Sequence, residues 1–140
     1  MKGKTEARIF TPPARKLTSE TSLGFCMGEY AEGILGKTLY PWQKWFLIHA
    51  FEIDGDLEEE WRYRFRVIML DVSRQNGKTT VSEVIASFFM NVLEVPNIFG
   101  TSLSLEKAEE VWEAVIKDQE DNKGLSKSID YIARRNGGKK

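Results

Sequence analysis

The chain has few of the residues that cross-links and metal clusters require, because its 140 residues include one cysteine and one histidine. A single cysteine, Cys26, cannot form a disulfide within the chain or complete a cysteine-rich zinc site, which agrees with a reducing compartment. We therefore predict that Cys26 is a small core residue. His49 lies in an apolar stretch, and we predict that it packs there rather than binding a metal or acting as a base.

Long apolar runs are also missing from the sequence. No stretch approaches the roughly 18 to 20 apolar residues that a membrane-spanning helix needs. The first ten residues mix charged and small side chains without an apolar segment before a cleavage site, so no signal peptide is predicted. We expect no membrane association, and we expect the chain to stay in the cytosol where it is made.

The composition, with 41% hydrophobic and 29% charged residues, is typical of one soluble globular domain or part of one. The net charge of −1 conceals a segregation, since residues 1–16 and 122–140 are basic and the middle of the chain is acidic. Basic ends can contact nucleic-acid phosphates. Lysine-rich termini are more often solvated tails, so charge alone predicts no DNA binding.

The central feature of the sequence is an apolar run, a polar turn and an amphipathic segment that follow one another without a gap. Val67–Leu70 is the continuous apolar run expected of a strand buried on both faces of a parallel sheet. After the turn, apolar residues recur with helical spacing at Val81, Val84, Ile85, Phe88, Phe89, Val92 and Leu93. The pattern predicts a strand, a phosphate loop and a helix that begins at Gly77 or Lys78.

The turn, Asp71–Thr80, has the residues that phosphate binding requires. A helix beginning there presents unpaired N–H groups and the positive end of its dipole, and Gly77 lets the backbone approach closely. We predict that Lys78 reaches the β- and γ-phosphates of a nucleotide and that the Thr79 hydroxyl binds magnesium. The loop is a variant of G-x-x-x-x-G-K-[ST], since Val72 replaces the first glycine. The alternative is a loop of turn-forming residues in which Lys78 is only solvated.

Two helices are predicted before this segment. Ser19–Ser22 starts the first, which is weakened by several glycines. Pro41 suits the first turn of the second, which has most of its aromatic residues on one side. Gln43 lies on that first turn, and its amide has the donor and acceptor that pair with N6 and N7 of adenine. The alternative is an ordinary exposed helical glutamine.

Two further segments lie between the second helix and the phosphate loop. Asp54–Glu60 is an acidic connection that lacks the ligand spacing of a calcium loop, and we predict that it is solvated. Trp61–Arg66 alternates aromatic and basic residues, which predicts a strand with one aromatic face. A grip on single-stranded nucleic acid is the alternative for this segment.

After the phosphate-loop helix, Ile98–Leu103 predicts a second strand. Ser104 is predicted to cap a helix whose inward residues are Leu105, Ala108, Val111, Trp112, Val115 and Ile116. The predicted order is therefore βαβα with a right-handed crossover. The fold class is α/β, a parallel sheet with flanking helices.

The motifs together resemble the start of the large terminase subunit of tailed bacteriophages. The resemblance is carried by Tyr40–Gln43, which reads Tyr-Pro-Trp-Gln, and by Ser73–Thr80, which reads Ser-Arg-Gln-Asn-Gly-Lys-Thr-Thr, and it spans about residues 38 to 120. Large terminases often have Ser-Arg-Gln-x-Gly-Lys-Thr/Ser without the first glycine, and an adenine-recognising glutamine upstream. The resemblance implies a P-loop NTPase fold of the RecA-like class, incomplete in this chain.

The resemblance also implies roles for individual residues. Gln43 recognises adenine, Lys78 holds the β- and γ-phosphates, Thr79 holds Mg²⁺, and Arg74 contacts phosphate as a switch that couples ATP to movement. Lys78 and Arg74 are thus the candidate catalytic residues. The nucleotide-binding set is completed by Ser73, Gln75, Asn76, Gly77 and Thr80.

The function that the resemblance implies is an ATPase motor that packages viral DNA into procapsids, with nuclease activity in the intact protein. The cofactors are ATP and Mg²⁺. The partners are double-stranded DNA, the portal protein and the small terminase subunit, and the intact protein forms a homo-oligomeric ring. The location is the cytoplasm of an infected bacterial host.

This sequence departs from the family where catalysis would be completed. Family members continue into a strand ending in an Asp-Glu pair and into a nuclease domain, and Asp71 cannot replace that pair because it feeds the loop. We expect residues 1–37 to be a lead-in, 38–121 the N-terminal part of the ATPase domain, and 122–140 a basic tail or truncated continuation. We expect this chain alone to bind ATP without turnover. The alternatives are a non-catalytic split-gene product that binds a downstream terminase polypeptide, and a helicase-like P-loop ATPase.

Overall fold

The computed structural model describes residues 4–55, 60–128, 134–135 and 138–139. The chain divides into two compact units, Met1–Ser73 and Arg74–Lys140. The middle of the predicted acidic connection, residues 56–59, and residues 129–133, 136–137 and 140 of the predicted tail lie outside the described residues. None of the helices in the described part of the chain combines the length and the apolarity that a membrane span requires.

The first unit contains two helices, α1 (Gly24–Gly33) and α2 (Pro41–Ala50), followed by a short antiparallel hairpin. The hairpin pairs β1 (Ile53–Asp54) with β2 (Arg62–Tyr63). A bridge between Ser22 and Glu52 connects the segment before α1 to the residue before β1. The buried apolar residues of this unit are Leu23, Met27, Tyr30, Ala31, Leu39, Leu47, Ala50, Phe51 and Ile53.

The helices α1 and α2 approach each other closely at Gly24. A Cβ atom on Gly24 would lie 2.2 Å from the carbonyl oxygen of Leu47, so only glycine fits there. Beside this contact, the Ser22 hydroxyl donates to the Ile48 carbonyl at 2.6 Å and accepts the Gly24 N–H at 3.1 Å. Gly24 is a weak helix former, but the packing of α1 against α2 requires it at the start of α1.

The N-terminal residues 10–16, which we call the N-terminal strap, bind the hairpin without forming a helix or strand. The N–H of Ala14 donates to the carboxylate of Glu52 at 2.9 Å. Arg15 donates to the Ile53 carbonyl at 2.6 Å. Arg64 donates to the Pro12 carbonyl at 3.0 Å and forms an ion pair with the buried Glu52.

The second unit contains α3 (Lys78–Asn91) and α4 (Leu105–Asp121), which contact each other, and a 3-10 turn at Ser126–Ser128. Two short strands, β3 (Arg134–Arg135) and β4 (Gly138–Lys139), pair antiparallel. The first helix, α1, begins at Gly24 rather than within Ser19–Ser22, whereas the predicted starts of α3 and α4 are confirmed. In particular, the Ser104 hydroxyl accepts the Lys107 N–H at the start of α4.

The predicted parallel sheet is wrong. Among the described residues, the sheets are two antiparallel pairs of two-residue strands, and Val67–Leu70 and Ile98–Leu103 form no strand. The exposed fractions are 85% for Val67, 90% for Met69 and 87% for Phe99. A continuous apolar run forms a buried strand only where neighbouring elements cover both of its faces. Without the parallel sheet, the predictions of a P-loop NTPase fold and of a βαβα order with a right-handed crossover are also wrong.

Other sequence predictions need smaller corrections. Cys26 is exposed on α1 rather than buried in the core, because the buried face of this helix is formed by its neighbours Met27, Tyr30 and Ala31. The strand predicted over Trp61–Arg66 is reduced to two residues. Leu105, predicted to face inward, is 58% exposed, since it lies at the very start of α4.

Candidate phosphate-binding loop

The predicted phosphate loop runs from Asp71 to Gly77 without regular structure and ends where α3 begins, at Lys78. Gly77 occupies the N-cap with φ 79° and ψ 30°, in the left-handed region. Gln75 is also left-handed, with φ 63°. Glycine adopts this conformation without the steric cost that a Cβ atom brings, which accounts for glycine at the position immediately before the helix.

The first turn of α3 has the electrostatic character expected of an anion site. No acidic residue lies in that turn, so the positive end of the helix dipole is not neutralised there. Lys78 and Thr79 are exposed at the same place, and Arg74, Gln75 and Asn76 are exposed in the loop before it. The arrangement can present backbone N–H groups, two cations and a hydroxyl to an anion.

The structure places the predicted site residues in both units. Arg74, Gln75, Asn76, Gly77, Lys78, Thr79 and Thr80 belong to one continuous segment of the second unit, and Ser73 ends the first. Gln43 lies in the first unit, on α2. Sequence proximity alone therefore brings the loop residues together.

Gln43 has a defined structural role. It is buried, with an exposed fraction of 1%, and its Oε1 atom accepts the Tyr40 N–H at 2.7 Å. Tyr40 is extended, with φ −64° and ψ 152°, and Pro41 follows it in the first turn of α2. The amide oxygen of Gln43 thus accepts the backbone N–H at the N-cap of α2, as the glutamine of a capping box does, and recognition of adenine by this residue stays a prediction.

The predicted magnesium ligand, Thr79, supplies one hydroxyl in the first turn of α3. Within the part of the chain that the structure describes, no group of three or more histidine, cysteine or acidic side chains could hold a metal ion. Magnesium keeps several waters and binds proteins through few ligands when phosphate oxygens are present. One hydroxyl beside a phosphate site is compatible with that mode of binding.

Sequence reasoning missed a cavity of about 420 Å³ between α3 and α4. The connection between the helices closes one side, and the helical walls are formed by Ser82, Ile85, Ala86 and Phe89 of α3 and by Lys107, Ala108, Val111 and Trp112 of α4. Gly100 of that connection lies so close to Trp112 that a Cβ atom would come within 2.7 Å of the indole Nε1. The sequence signal was present in two facing stripes with small residues at Ala86 and Ala108, but their relative position depends on the tertiary fold.

The packing prediction for His49 is confirmed. Its ring stacks on Trp45 with the ring centroids 4.0 Å apart, and its Nδ1 atom donates to the Trp45 carbonyl at 2.8 Å. Phe10 of the N-terminal strap contacts Trp45 edge-on, at 5.0 Å between the centroids. This histidine is engaged in an aromatic cluster of the first unit.

Comparison with known proteins assigns no family to the chain. No protein-family model matches it, and no curated protein or solved structure matches it either. The resemblance to large terminases thus depends on the motifs alone, and a function has to be argued from the loop and the helix that follows it.

Proposed function

We propose that the chain binds ATP and Mg²⁺ through Ser73–Thr80, as part of an ATPase of the large terminase type that packages viral DNA. The observation that carries the proposal is the start of α3 at Lys78, directly after a left-handed Gly77. The motif Gly-Lys-Thr therefore lies at a helix N-terminus, where backbone N–H groups and the helix dipole favour phosphate.

Each group at the site has a distinct task in this proposal. The N–H groups in the first turn of α3 bind phosphate oxygens, and the helix dipole favours their negative charge. Lys78 supplies a cation for the β- and γ-phosphates, and Arg74 supplies a second cation from the exposed loop. Bound magnesium would neutralise phosphate charge, and the Thr79 hydroxyl would hold it.

The wider assignment is supported only by the motif resemblance. It includes double-stranded DNA, the portal protein and the small terminase subunit as partners, a ring of identical subunits, and the cytoplasm of an infected bacterium as the location. The order Tyr-Pro-Trp-Gln, then Ser-Arg-Gln-Asn-Gly-Lys-Thr-Thr, supports this choice over a helicase-like ATPase. Both candidates use the same loop to bind phosphate.

The proposal is tested by titrating the chain with a fluorescent ATP analogue in the presence of magnesium. We expect Lys78→Ala to abolish most of the binding, because it removes the cation at the phosphate site. Lys117→Ala is the matched control, since Lys117 is an exposed lysine on α4 of the same unit. Thr79→Val should reduce the gain in affinity that magnesium provides. Equal affinity of the wild type and Lys78→Ala would refute the proposal.

A further inference from the structure

We propose that the cavity between α3 and α4 binds the planar base of the nucleotide whose phosphates occupy the start of α3. This inference rests on the proposed function, since it adds a base site to the same ligand. The cavity volume, about 420 Å³, lies within the range of small-molecule sites. All of its lining residues belong to the second unit, which also contains Lys78.

The walls of the cavity have the chemistry that a nucleobase requires. Trp112, Phe89 and Phe99 supply aromatic surface, and aromatic rings stack on any base. Thr101 and Ser102 also line the cavity, and the hydroxyl of each residue type can donate to or accept from the edge of a base. A purely apolar groove for a protein helix would not need this mixture.

The position of the cavity along α3 connects it to the phosphate loop. Ser82, Ile85 and Phe89 line the cavity from α3, and Lys78 precedes Ser82 by four residues. Residues four apart lie on the same helix face, about 6 Å apart along the axis at about 1.5 Å per residue. A ribose and its phosphates cover such a distance, so one nucleotide can occupy both places.

Lys107 adds a second link between the base and the phosphates. It lies in the first turn of α4, is exposed, and lines the same cavity. The cavity therefore has a cation from each helix near it, Lys78 at the start of α3 and Lys107 at the start of α4. Two cations near an aromatic cleft suit a base that carries a polyanion.

Gln43 is the competing candidate for base recognition, and the geometry favours the cavity. The amide oxygen of Gln43 already accepts the Tyr40 N–H, and the side chain is 1% exposed. The aromatic residues of the cavity are open to a ligand, because Phe99 is 87% exposed and Trp112 is half-buried. The two candidates lie in different units, so substitutions separate them.

The test compares the affinity of the full chain for Mg-ATP and for Mg-tripolyphosphate by calorimetric titration. Ala108→Leu fills the cavity and keeps a strong helix former in α4. Ala114→Leu is the matched control, because it adds the same volume to the same helix at a residue that does not line the cavity. Since stacking of a base contributes about tenfold or more, we expect Ala108→Leu to weaken Mg-ATP by at least about tenfold and to leave tripolyphosphate unchanged.

A spectroscopic measurement checks the contact directly. Trp112 is the sole tryptophan of residues 74–140, and its indole N–H signal is assigned by its loss in Trp112→Phe. We expect Mg-ATP to shift this signal and Mg-tripolyphosphate to leave it in place. A shift in Ala114→Leu and none in Ala108→Leu would agree with a base in the cavity.

The remaining outcomes separate this inference from the proposed function. If the wild type binds tripolyphosphate and ATP but Ala108→Leu keeps wild-type affinity for both, the base site is refuted and the phosphate site stands. Equal weakening of both ligands by Ala108→Leu also refutes the base site. A loss of the ATP preference over GTP in Gln43→Ala alone would assign the base to Gln43. If the wild type binds neither ligand, the proposed function fails and the inference fails with it.

Discussion

Glu52 is the buried carboxylate that joins the N-terminal strap to Arg64, which follows the hairpin. Its side chain is 1% exposed, and its two oxygens accept from Ala14 and Arg64. A buried carboxylate is costly unless it is paired and hydrogen-bonded. The main effect of the Glu52–Arg64 pair is therefore to fix the position of the N-terminal strap relative to the hairpin. Its net contribution to the free energy of unfolding is expected to be small.

Removing the partner of Glu52 is expected to destabilise the protein strongly. Arg64→Met leaves the carboxylate buried without its cation, which typically costs about 3 to 5 kcal/mol. The matched control is Lys44→Met, because the pair of Lys44 with Glu32 spans 2.6 Å but both side chains are 42% exposed. Exposed pairs contribute about 1 kcal/mol or less. Urea unfolding measures both variants, and similar losses would contradict the buried role of Glu52.

Tyr63 gives the first unit a pH dependence in alkaline solution. Burial disfavours the phenolate and raises the pKa of Tyr63 above its ordinary value of 10.0. The folded state thus retains the proton that the unfolded state loses. The contribution of the neutral phenol is complete below pH 10.0 and is lost as the pH rises through the folded pKa.

The measurement is the free energy of unfolding as a function of pH for the wild type and Tyr63→Phe. We expect the wild type to lose stability relative to Tyr63→Phe above pH 10.0, because only the wild type must keep a phenol protonated. In a titration followed by phenolate absorbance, Tyr63 of the folded protein should ionise at a higher pH than tyrosine in the unfolded chain. Parallel stability curves for the two proteins above that pH would contradict the prediction.

Gln43 shows which part of a residue's role the sequence could predict and which part it could not. Gln43 was singled out from its place on the first helical turn, among tryptophans and upstream of the loop, but its buried position and its bond to the Tyr40 N–H were not foreseen. The pattern for adenine recognition and the pattern for a capping box share a glutamine in the first turn. Sequence alone does not distinguish them, because the difference lies in what covers the side chain.

At the scale of elements, the two closely approaching helices α1 and α2 show why glycine content misleads. Gly24 and Gly28 both lower the helix propensity of α1, yet their surroundings differ. A Cβ atom at Gly24 meets the backbone of Leu47 and Ile48, whereas a Cβ atom at Gly28 meets nothing within 4 Å. One glycine is required by packing and the other is not.

Two substitutions in the same helix should therefore have opposite effects. Gly24→Ala forces two backbones apart and is expected to cost at least about 1 to 3 kcal/mol, the usual range for overpacking. Gly28→Ala should stabilise the protein by about 0.4 to 1 kcal/mol, because alanine restricts the unfolded chain and favours helix. Thermal unfolding of both variants is the measurement. A loss of stability in Gly28→Ala equal to that in Gly24→Ala would refute the close approach.

The elements that sequence predicted well are those fixed by neighbouring residues. The helices α2, α3 and α4 begin at Pro41, at Lys78 and directly after Ser104, respectively, as their start signals indicated. The strands at Val67–Leu70 and Ile98–Leu103 failed because a strand depends on partners distant in sequence. The loop before α3 and the start of that helix could be predicted, whereas the cavity between α3 and α4 could not.

At the scale of the whole molecule, the two segments that were predicted to be buried strands have apolar side chains in contact with water. Val67, Met69 and Leu103 are 85%, 90% and 100% exposed. Monomeric proteins tolerate single exposed apolar residues, but extended apolar segments promote association. The exposed segment around Val67 and Met69 is therefore expected to limit the solubility of the chain.

We expect the purified chain to associate as its concentration rises. Val67→Thr combined with Met69→Lys should reduce this association, since it removes apolar surface and adds charge to an extended segment. Sedimentation velocity across a range of concentrations measures the effect. An identical concentration dependence for the wild type and the double variant would show that this segment is not the cause.

The N-terminal strap has a consequence for how the protein folds during synthesis. Its contacts join residues far apart in sequence. The sequence separation is 38 for Ala14 and Glu52 and 52 for Pro12 and Arg64. Contacts of such separation form slowly, because the intervening chain must be closed into a loop. The strap is translated before Arg64, yet Arg64 must emerge from the ribosome before the strap can bind it. The strap is therefore among the last parts of this unit to reach its final position.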